Sequence, residues 1–412
     1  MRITIDDVAV LDSRDPLSSY RSRFHLPDGH VYLDGNSLGA APRDVFDDVD
    51  HALRIEWAEH LIASWSGAGW WTLGERLGDR IADLVGAAAG SVVVTDTTTV
   101  NIYKALHAAV SLRPGRSRIM TERRGFPTDS YAAAGVAETL DGVDLELVDI
   151  DDAGFVDGLD ESVAAVLVNH IDYRTARLRD MKRLTDAIHG VGAIAVWDLC
   201  HSVGVFPVEL GACDVDFAVG CTYKFLNGGP GAPAFIHVAP EHLDMAVSPL
   251  RGWWGHADPF AMEETYRPSD GIRRYMVGTQ PILSMRALVA SLDMYQEVDL
   301  EAVRAKSKSL TSLFIDLVDQ ECAGHGLDVY SPRDADLRGS QVSLFNEHGA
   351  AIMAAMAAAG VHGGYREPGV MRFGFAPLYI SHADVWEAVR RLRHVLDTDE
   401  WKRPEYGEGA IS

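Results

Sequence analysis

From about residue 91 the chain alternates short β-branched runs with longer helical patterns. Ser91–Thr95, Arg118–Thr121, Leu145–Val148, Val163–Val168, Ala193–Trp197, Val215–Val219 and Ala234–His237 read as strands. Helical patterns over Thr99–Leu112, Thr128–Leu140 and Arg179–His189 lie between several of them. Runs that are apolar on both faces and interleaved with helices predict an α/β fold, with a mostly parallel sheet covered on both sides. The flanks differ. Pro42 precedes an amphipathic helix expected over Asp44–Ala63, which leads into Trp65, Trp70 and Trp71. After about Pro281 come helical stretches over 284–297 and 301–320. Strands near Gln341–Leu344 and Val370–Phe375 and a closing helix over His382–Leu396 then make an α+β pattern. The expected plan is a large domain over 45–285 and a small C-terminal domain over 286–412, which residues 1–44 join.

Length supports more than one unit, since 412 residues exceed the ~250–300 at which a single core stops growing. A hydrophobic fraction of 47% with 24% charged residues is ordinary for a globular protein. The formal charge of −23 argues against nucleic acid and anionic membranes as partners. No apolar stretch reaches the ~18–20 residues of a membrane span. Cys200, Cys213, Cys221 and Cys322 form no CxxC pair, which suits free thiols in a reducing cytoplasm. No metal site is expected.

Chemistry enters at two strand ends. Asp198 closes the run Ala193–Trp197, with His201 three residues on. Lys224 follows the next run, 26 residues after Asp198, beside Tyr223 and the glycine-rich loop Asn227-Gly228-Gly229-Pro230-Gly231. A carboxylate and a lysine delivered by neighbouring strand ends suit pyridoxal 5'-phosphate. The lysine forms a Schiff base with that cofactor, and the aspartate keeps its pyridine nitrogen protonated. Singly, each residue reads equally as a turn aspartate or a solvated lysine.

Other motifs fit the same cofactor. Thr95-Asp96-Thr97-Thr98-Thr99 lies between a strand and a helix and is suited to a phosphate, although a plain N-cap has the same residues. Phe126-Pro127-Thr128-Asp129 offers a ring to stack on a pyridine and a carboxylate at its edge, or simply a helix start with proline in its first turn. Asn169 follows the run Val163–Val168 and could equally be an Asx turn. Arg251-Gly252-Trp253-Trp254-Gly255-His256 makes a poor core strand and a good aromatic wall. Arg372, inside the apolar run Val370–Phe375, calls for a carboxylate, either in a structural ion pair or on an amino-acid ligand.

Phe126-Pro127-Thr128-Asp129, Asp198-Leu199-Cys200-His201, Tyr223-Lys224-Phe225-Leu226-Asn227, Gly252-Trp253-Trp254-Gly255-His256 and Leu33-Asp34-Gly35-Asn36-Ser37-Leu38-Gly39 together resemble the kynureninase family. That family belongs to the fold-type I pyridoxal phosphate enzymes of the aminotransferase class V group. The likeness runs in order from about residue 30 to 395. It implies hydrolytic Cβ–Cγ cleavage of L-kynurenine or 3-hydroxykynurenine, in tryptophan catabolism, by a cytoplasmic homodimer with shared active sites.

By position, the resemblance implies that Lys224 carries the cofactor, that Asp198 pairs with its ring nitrogen, and that Tyr223 serves as a further catalytic group. Thr98, Thr99 and Tyr223 would hold the phosphate, with Trp253 and Thr279 reaching in from the second subunit. Phe126, Pro127, Thr128, Asp129, Asn169 and His201 would surround the ring. Arg372 would bind the substrate carboxylate, and Asn36, Trp65, Trp254 and His256 would shape the aryl pocket. Thr98 and Thr279 depart from the family's usual Leu or Ala and Asn. The competing readings are a cysteine desulfurase or selenocysteine lyase, an aminotransferase, and a non-catalytic scaffold of the same fold.

Overall fold

The structure is a computed structural model that describes residues 2–151 and 154–407. Seven strands form the main sheet: β1 (Val92–Val94), β2 (Arg118–Glu122), β3 (Asp144–Val148), β4 (Val163–Asn169), β5 (Ile194–Asp198), β6 (Phe217–Gly220) and β7 (Phe235–Val238). Their order across the sheet is β1-β7-β6-β5-β4-β2-β3. From β6 to β3 every pairing is parallel, while β7 runs antiparallel to both β1 and β6. The α/β fold is therefore present, and each expected strand lies within two residues of its observed ends.

Burial explains why these runs become central strands. All seven residues of β4 and all five of β5 are buried, so helices must cover both faces. Thr98–Ser111, Pro127–Thr139 and Met181–Gly190 do so. Asp180 fixes the start of the last, its side chain accepting from the Arg183 N–H at 3.0 Å.

A second, antiparallel sheet has the order β8 (Asp328–Val329), β9 (Gln341–Phe345), β11 (Val370–Gly374), β10 (Gly364–Arg366). Leu300–Glu321 and Gly349–Ala358 pack on this sheet, and His382–Asp397 packs on Leu300–Glu321. The N-terminal segment is stitched to this part of the chain. Val31–Tyr32 pairs in parallel with Val361–His362, and Asp34 bridges to Gly374.

The helix expected over Asp44–Ala63 is corrected: only Asp44–His51 is α-helical. The turns widen over Ala52–Trp57, where the Ala58 N–H donates to Leu53 O at 3.1 Å. Leu61 then takes a left-handed φ of 52°. The widening turns the Glu56 carboxylate inward, where it accepts from Trp70 Nε1 at 2.7 Å. Neither glycine nor proline marks the break, so periodicity had no signal for it.

The same segment meets the lysine loop. The Gly39 N–H donates to Tyr223 O at 2.8 Å, and a Cβ on Gly39 would stand 2.2 Å from Lys224 O. Gly39→Ala is expected to cost ~1–3 kcal/mol through this overpacking. Urea unfolding checks it; an unchanged midpoint would show that the contact yields freely.

Candidate active site

β4 and β5 end side by side, and Asn169 faces Asp198 in the register of the pair. β2 ends next to them at Glu122, and the loop after β6 brings Tyr223 and Lys224. These ends open on a cavity of about 840 Å³. Of the expected residues, Thr98, Thr99, Phe126, Thr128, Asp129, Asn169, Asp198, His201, Tyr223, Lys224 and Thr279 line it. Thr279 does so from its own chain, whereas the resemblance had it reach in from a second subunit.

Asp198 accepts from the Cys200 N–H at 2.6 Å, which fixes one carboxylate oxygen. Asn169 is held at every polar atom. Its N–H donates to Glu122 Oε1 at 2.7 Å, and its carbonyl accepts from Arg179 Nη1 at 2.9 Å. Its amide donates to Asp129 Oδ2 at 2.5 Å and accepts from the Phe126 N–H at 3.3 Å. Burial and the nearby Asp198 charge push the Asp129 carboxyl well up. Burial likewise raises Glu122 to about 8, against the pull of Arg179, which lies 3.0 Å from it.

Lys224 Nζ lies 3.2 Å from His201 Nε2. Burial, then the charges of Lys224 and Arg372, hold His201 well below the usual imidazole range. His201 is therefore neutral and can accept the lysine's proton bond. Burial raises the Tyr223 phenol to about 12.

At the other end of the cavity, Thr97 caps the helix Thr98–Ser111, its hydroxyl accepting from the Val100 N–H at 3.4 Å. The N–H groups of the first turn point past this cap and lack intrahelical partners. Three threonine hydroxyls, these N–H groups and the helix dipole make a site for a phosphate. With Phe126 on one wall, two carboxylates at the deep end and a lysine between, the residues present fit pyridoxal phosphate.

Arg372 does not line the cavity but stands behind Tyr173, which does, its guanidinium carbon 5.9 Å from that ring. It is 2% exposed. Nη2 donates to Gln341 Oε1 at 3.2 Å and to the amide oxygen of Asn36 at 2.6 Å. Its Nε finds no partner among the described residues, and no Asp or Glu forms an ion pair with it there. Burial, then the neighbouring Arg366, lowers Arg372 to about 10. The carboxylate that the sequence called for is thus not supplied by the fold, which leaves a buried cation for an anionic ligand.

Pro127, Trp65, Trp253, Trp254 and His256 do not reach the cavity in this chain. Trp254 stacks on Trp71 at 4.1 Å and meets Trp65 edge-on at 5.3 Å. The glycines on either side of the tryptophan pair have a packing reason. A Cβ on Gly252 would stand 2.0 Å from Val277 O, and one on Gly255 2.5 Å from Met276 O. The block therefore backs the wall formed by Val277–Thr279. His256 is occupied locally, its Nδ1 accepting from the Asp258 N–H at 3.0 Å.

Sequence reasoning did not single out Tyr173, Gln341, Glu122 or Arg179. Tyr173 sits in a turn pinned by Asp172, whose Oδ1 accepts from the Thr175 N–H at 2.6 Å. Its only signal was one aromatic residue after a strand end. Among the described residues no group of three or more His, Cys, Asp or Glu is placed to hold a metal ion. No helix there is long and apolar enough to cross a membrane.

Residues 303–392 match the family described as the kynureninase C-terminal domain. Kynureninase of Burkholderia pseudomallei is 46% identical over 412 residues, 99% of both chains. Kynureninase of Pseudomonas fluorescens is 46% identical over 408 residues, 98% of both. Among solved structures, a cysteine desulfurase from Thermococcus onnurineus NA1 superposes with a TM-score of 0.75 at 19% identity, covering 97% of this chain and 99% of that one. A cystine C–S lyase in complex with its product cysteine persulfide gives 0.78 at 14% identity, covering 89% and 98%. These two likenesses carry the fold alone.

The Glu122 geometry makes a pH prediction. A carboxyl whose pKa is higher folded than unfolded favours the fold while protonated. That contribution is complete below about 4.5 and is lost as pH rises through about 8. Glu122→Gln cannot ionise, so its stability relative to the parent should increase steadily across that window. Thermal midpoints of both proteins measured through it check this; a constant difference would reject it.

Proposed function

The chain belongs to the kynureninase family, and on that premise we propose how its residues hydrolyse L-kynurenine, 3-hydroxykynurenine or both, giving anthranilate or 3-hydroxyanthranilate and L-alanine. It is a hydrolase of carbon–carbon bonds in ketonic substrates. The observation that carries the residue assignment is the one cavity shared by Lys224, Asp198 and a helix-capping threonine cluster, with the unpaired Arg372 behind Tyr173.

Pyridoxal 5'-phosphate is the cofactor, and when bound it supplies an electron sink for the charge left as the substrate's α-proton departs. Lys224 would hold it covalently, Asp198 would keep its ring nitrogen protonated, and Phe126 would cover one face. Thr98, Thr99 and Tyr223 would take the phosphate, while Asp129 and Asn169 stand at the ring's polar edge. Arg372 would bind the substrate α-carboxylate once the Tyr173 ring, which stands between it and the cavity, turns aside. Gln341 holds the guanidinium through its Oε1 and donates its amide to Tyr173 O at 3.0 Å, with Asn36 beside it. Lys224 Nζ removes the α-proton, and neutral His201 accepts a hydrogen bond from that nitrogen.

Water then adds to the substrate's γ-carbonyl. The Cβ–Cγ bond breaks, the carboxyl group leaves with the aryl ring, a proton is delivered to Cβ, and Lys224 returns a proton to Cα so that L-alanine can leave. Tyr223 suits the delivery to Cβ, because a phenol held near 12 is protonated at neutral pH and acts as an acid.

The desulfurase-type alternative needs a cysteine free to swing towards substrate sulfur. Cys200 and Cys221 line the cavity, but both are buried, and the Cys221 N–H donates to Cys200 Sγ at 3.2 Å. Cys213 and Cys322 do not line it. This favours an aryl ketone as substrate.

The reading extends to a cytoplasmic homodimer whose sites are shared, with Trp253 reaching across the interface and Trp65, Trp254 and His256 packed behind the aryl side of the pocket. Trp253 is 42% exposed and Phe260 67%, and with Met262 and Trp57 they leave apolar surface that a second copy would cover. Light scattering of the holoenzyme should return twice the chain mass; the monomer mass would reject the pairing.

The activity is tested by fluorescence of released anthranilate and 3-hydroxyanthranilate, with and without added cofactor. Turnover of at least one substrate is expected, and none from either would sink the reading. Arg372→Leu should lower kcat/KM by roughly 10²–10³-fold, the scale of losing a buried charge partner. Parental kinetics from that variant would remove Arg372 from the substrate site.

A further inference from the structure

Lys104 is the most deeply buried lysine of the chain, with no exposed side-chain surface. It lies on the helix Thr98–Ser111, whose N-terminus forms the threonine cup. Its Nζ donates to Asp96 Oδ2 at 2.8 Å and to Tyr275 O at 2.7 Å. Burial pulls its pKa down, and Asp96 pulls it back up. Nothing in the reaction described above uses it.

Asp96 gives the reason. It lines the cavity beside Thr97–Thr99 and adopts a left-handed φ of 52°, a conformation Asp tolerates better than most residues. That turn carries the chain from β1 into the cup. The Ala234 N–H donates to Asp96 O at 2.9 Å, so the backbone is fixed there by β7's leading edge. The Thr95 hydroxyl also donates to the Asp96 carboxylate, at 3.1 Å. The turn that aims the N–H groups of the cup thus puts a carboxylate at the mouth of a site meant for a dianion. In a cavity of low dielectric, two such charges repel strongly unless one is cancelled.

We propose that Lys104 is a positioning residue for the cofactor phosphate: it neutralises Asp96 beneath the threonine cup and, through Tyr275 O, ties the cup to the segment Val277–Pro281 that forms the facing wall. A stability role alone does not account for it, since a buried ion pair contributes little net stability against an apolar replacement. Its place does. One ammonium group holds both walls of the phosphate end and cancels the charge that would expel the ligand. The inference rests on the assignment of the phosphate to Thr97–Thr99.

The test compares two ligands on apoenzyme resolved from the holoenzyme: pyridoxal 5'-phosphate, and pyridoxal, which lacks the phosphate. Dissociation constants come from absorbance titrations. The parent should prefer the phosphorylated ligand strongly; equal affinity would sink the phosphate assignment itself. Lys104→Met should cut that preference by at least about tenfold while leaving pyridoxal affinity unchanged. The double variant Lys104→Met/Asp96→Asn, which removes both charges, should restore most of it. A parental preference in Lys104→Met, or no recovery in the double variant, would overturn the proposal. If Lys104→Met does not fold, Asp96→Asn alone decides: its preference should exceed the parent's, and an equal or lower one would overturn the idea.

Discussion

Asn169 and Asp198 sit opposite one another at the ends of two adjacent parallel strands, and much of the site depends on that register. A slip of one residue would turn both side chains to the other face of the sheet. The register puts Asp198 where it can meet a ring nitrogen and lets Asn169 reach Asp129. Asn169 is in turn clamped at its own N–H and C=O by Glu122 and Arg179. Backbone clamping of a side-chain donor is a stiff arrangement, because neither end of the residue can rotate without breaking a buried hydrogen bond. The cluster at the deep end of the cavity is therefore positioned before any ligand arrives.

Charge is handled in two opposite ways at the two ends. At the phosphate end the fold carries its own cancellation, Lys104 on Asp96, so an incoming dianion meets oriented N–H groups and no net opposing charge. Around Arg372 the fold withholds cancellation. A guanidinium that is 2% exposed, with only amide oxygen as acceptor, is costly by itself. On the proposed assignment an arriving carboxylate offsets that cost, which then works as selectivity for an amino acid.

The strand positions and the chemistry of the strand ends were legible because parallel strands buried on both faces write themselves as unbroken apolar runs. Asp198, Asn169 and Lys224 were visible as the polar residues that follow such runs. The helix after Asp44 was misread for a physical reason. Its break serves a tertiary contact, Glu56 to Trp70, that no local pattern encodes. Arg372 was read correctly as a buried cation, but spacing could not show that no Asp or Glu among the described residues forms an ion pair with it. Lys104 did leave a trace. It shares a helix face with Asn101, Ala105 and Ala108, all fully buried, where a lysine breaks the apolar pattern. The tryptophan block was informative for another reason than expected, since its glycines are set by the backbone of Met276 and Val277.

Structures at 14–19% identity that act on sulfur substrates share this frame, so the sheet and its strand ends do not select the reaction. Selection has to come from what surrounds the strand ends. In this chain those surroundings remove the groups that sulfur chemistry requires, since both cavity thiols are buried and tied to backbone. They add a T-shaped pair of Phe126 and Tyr173, 5.3 Å apart, between the cofactor wall and Arg372. Another wall of the cavity, Val277–Thr279, is backed by the paired tryptophans, whose flanking glycines lie against the backbone of Val277 and Met276.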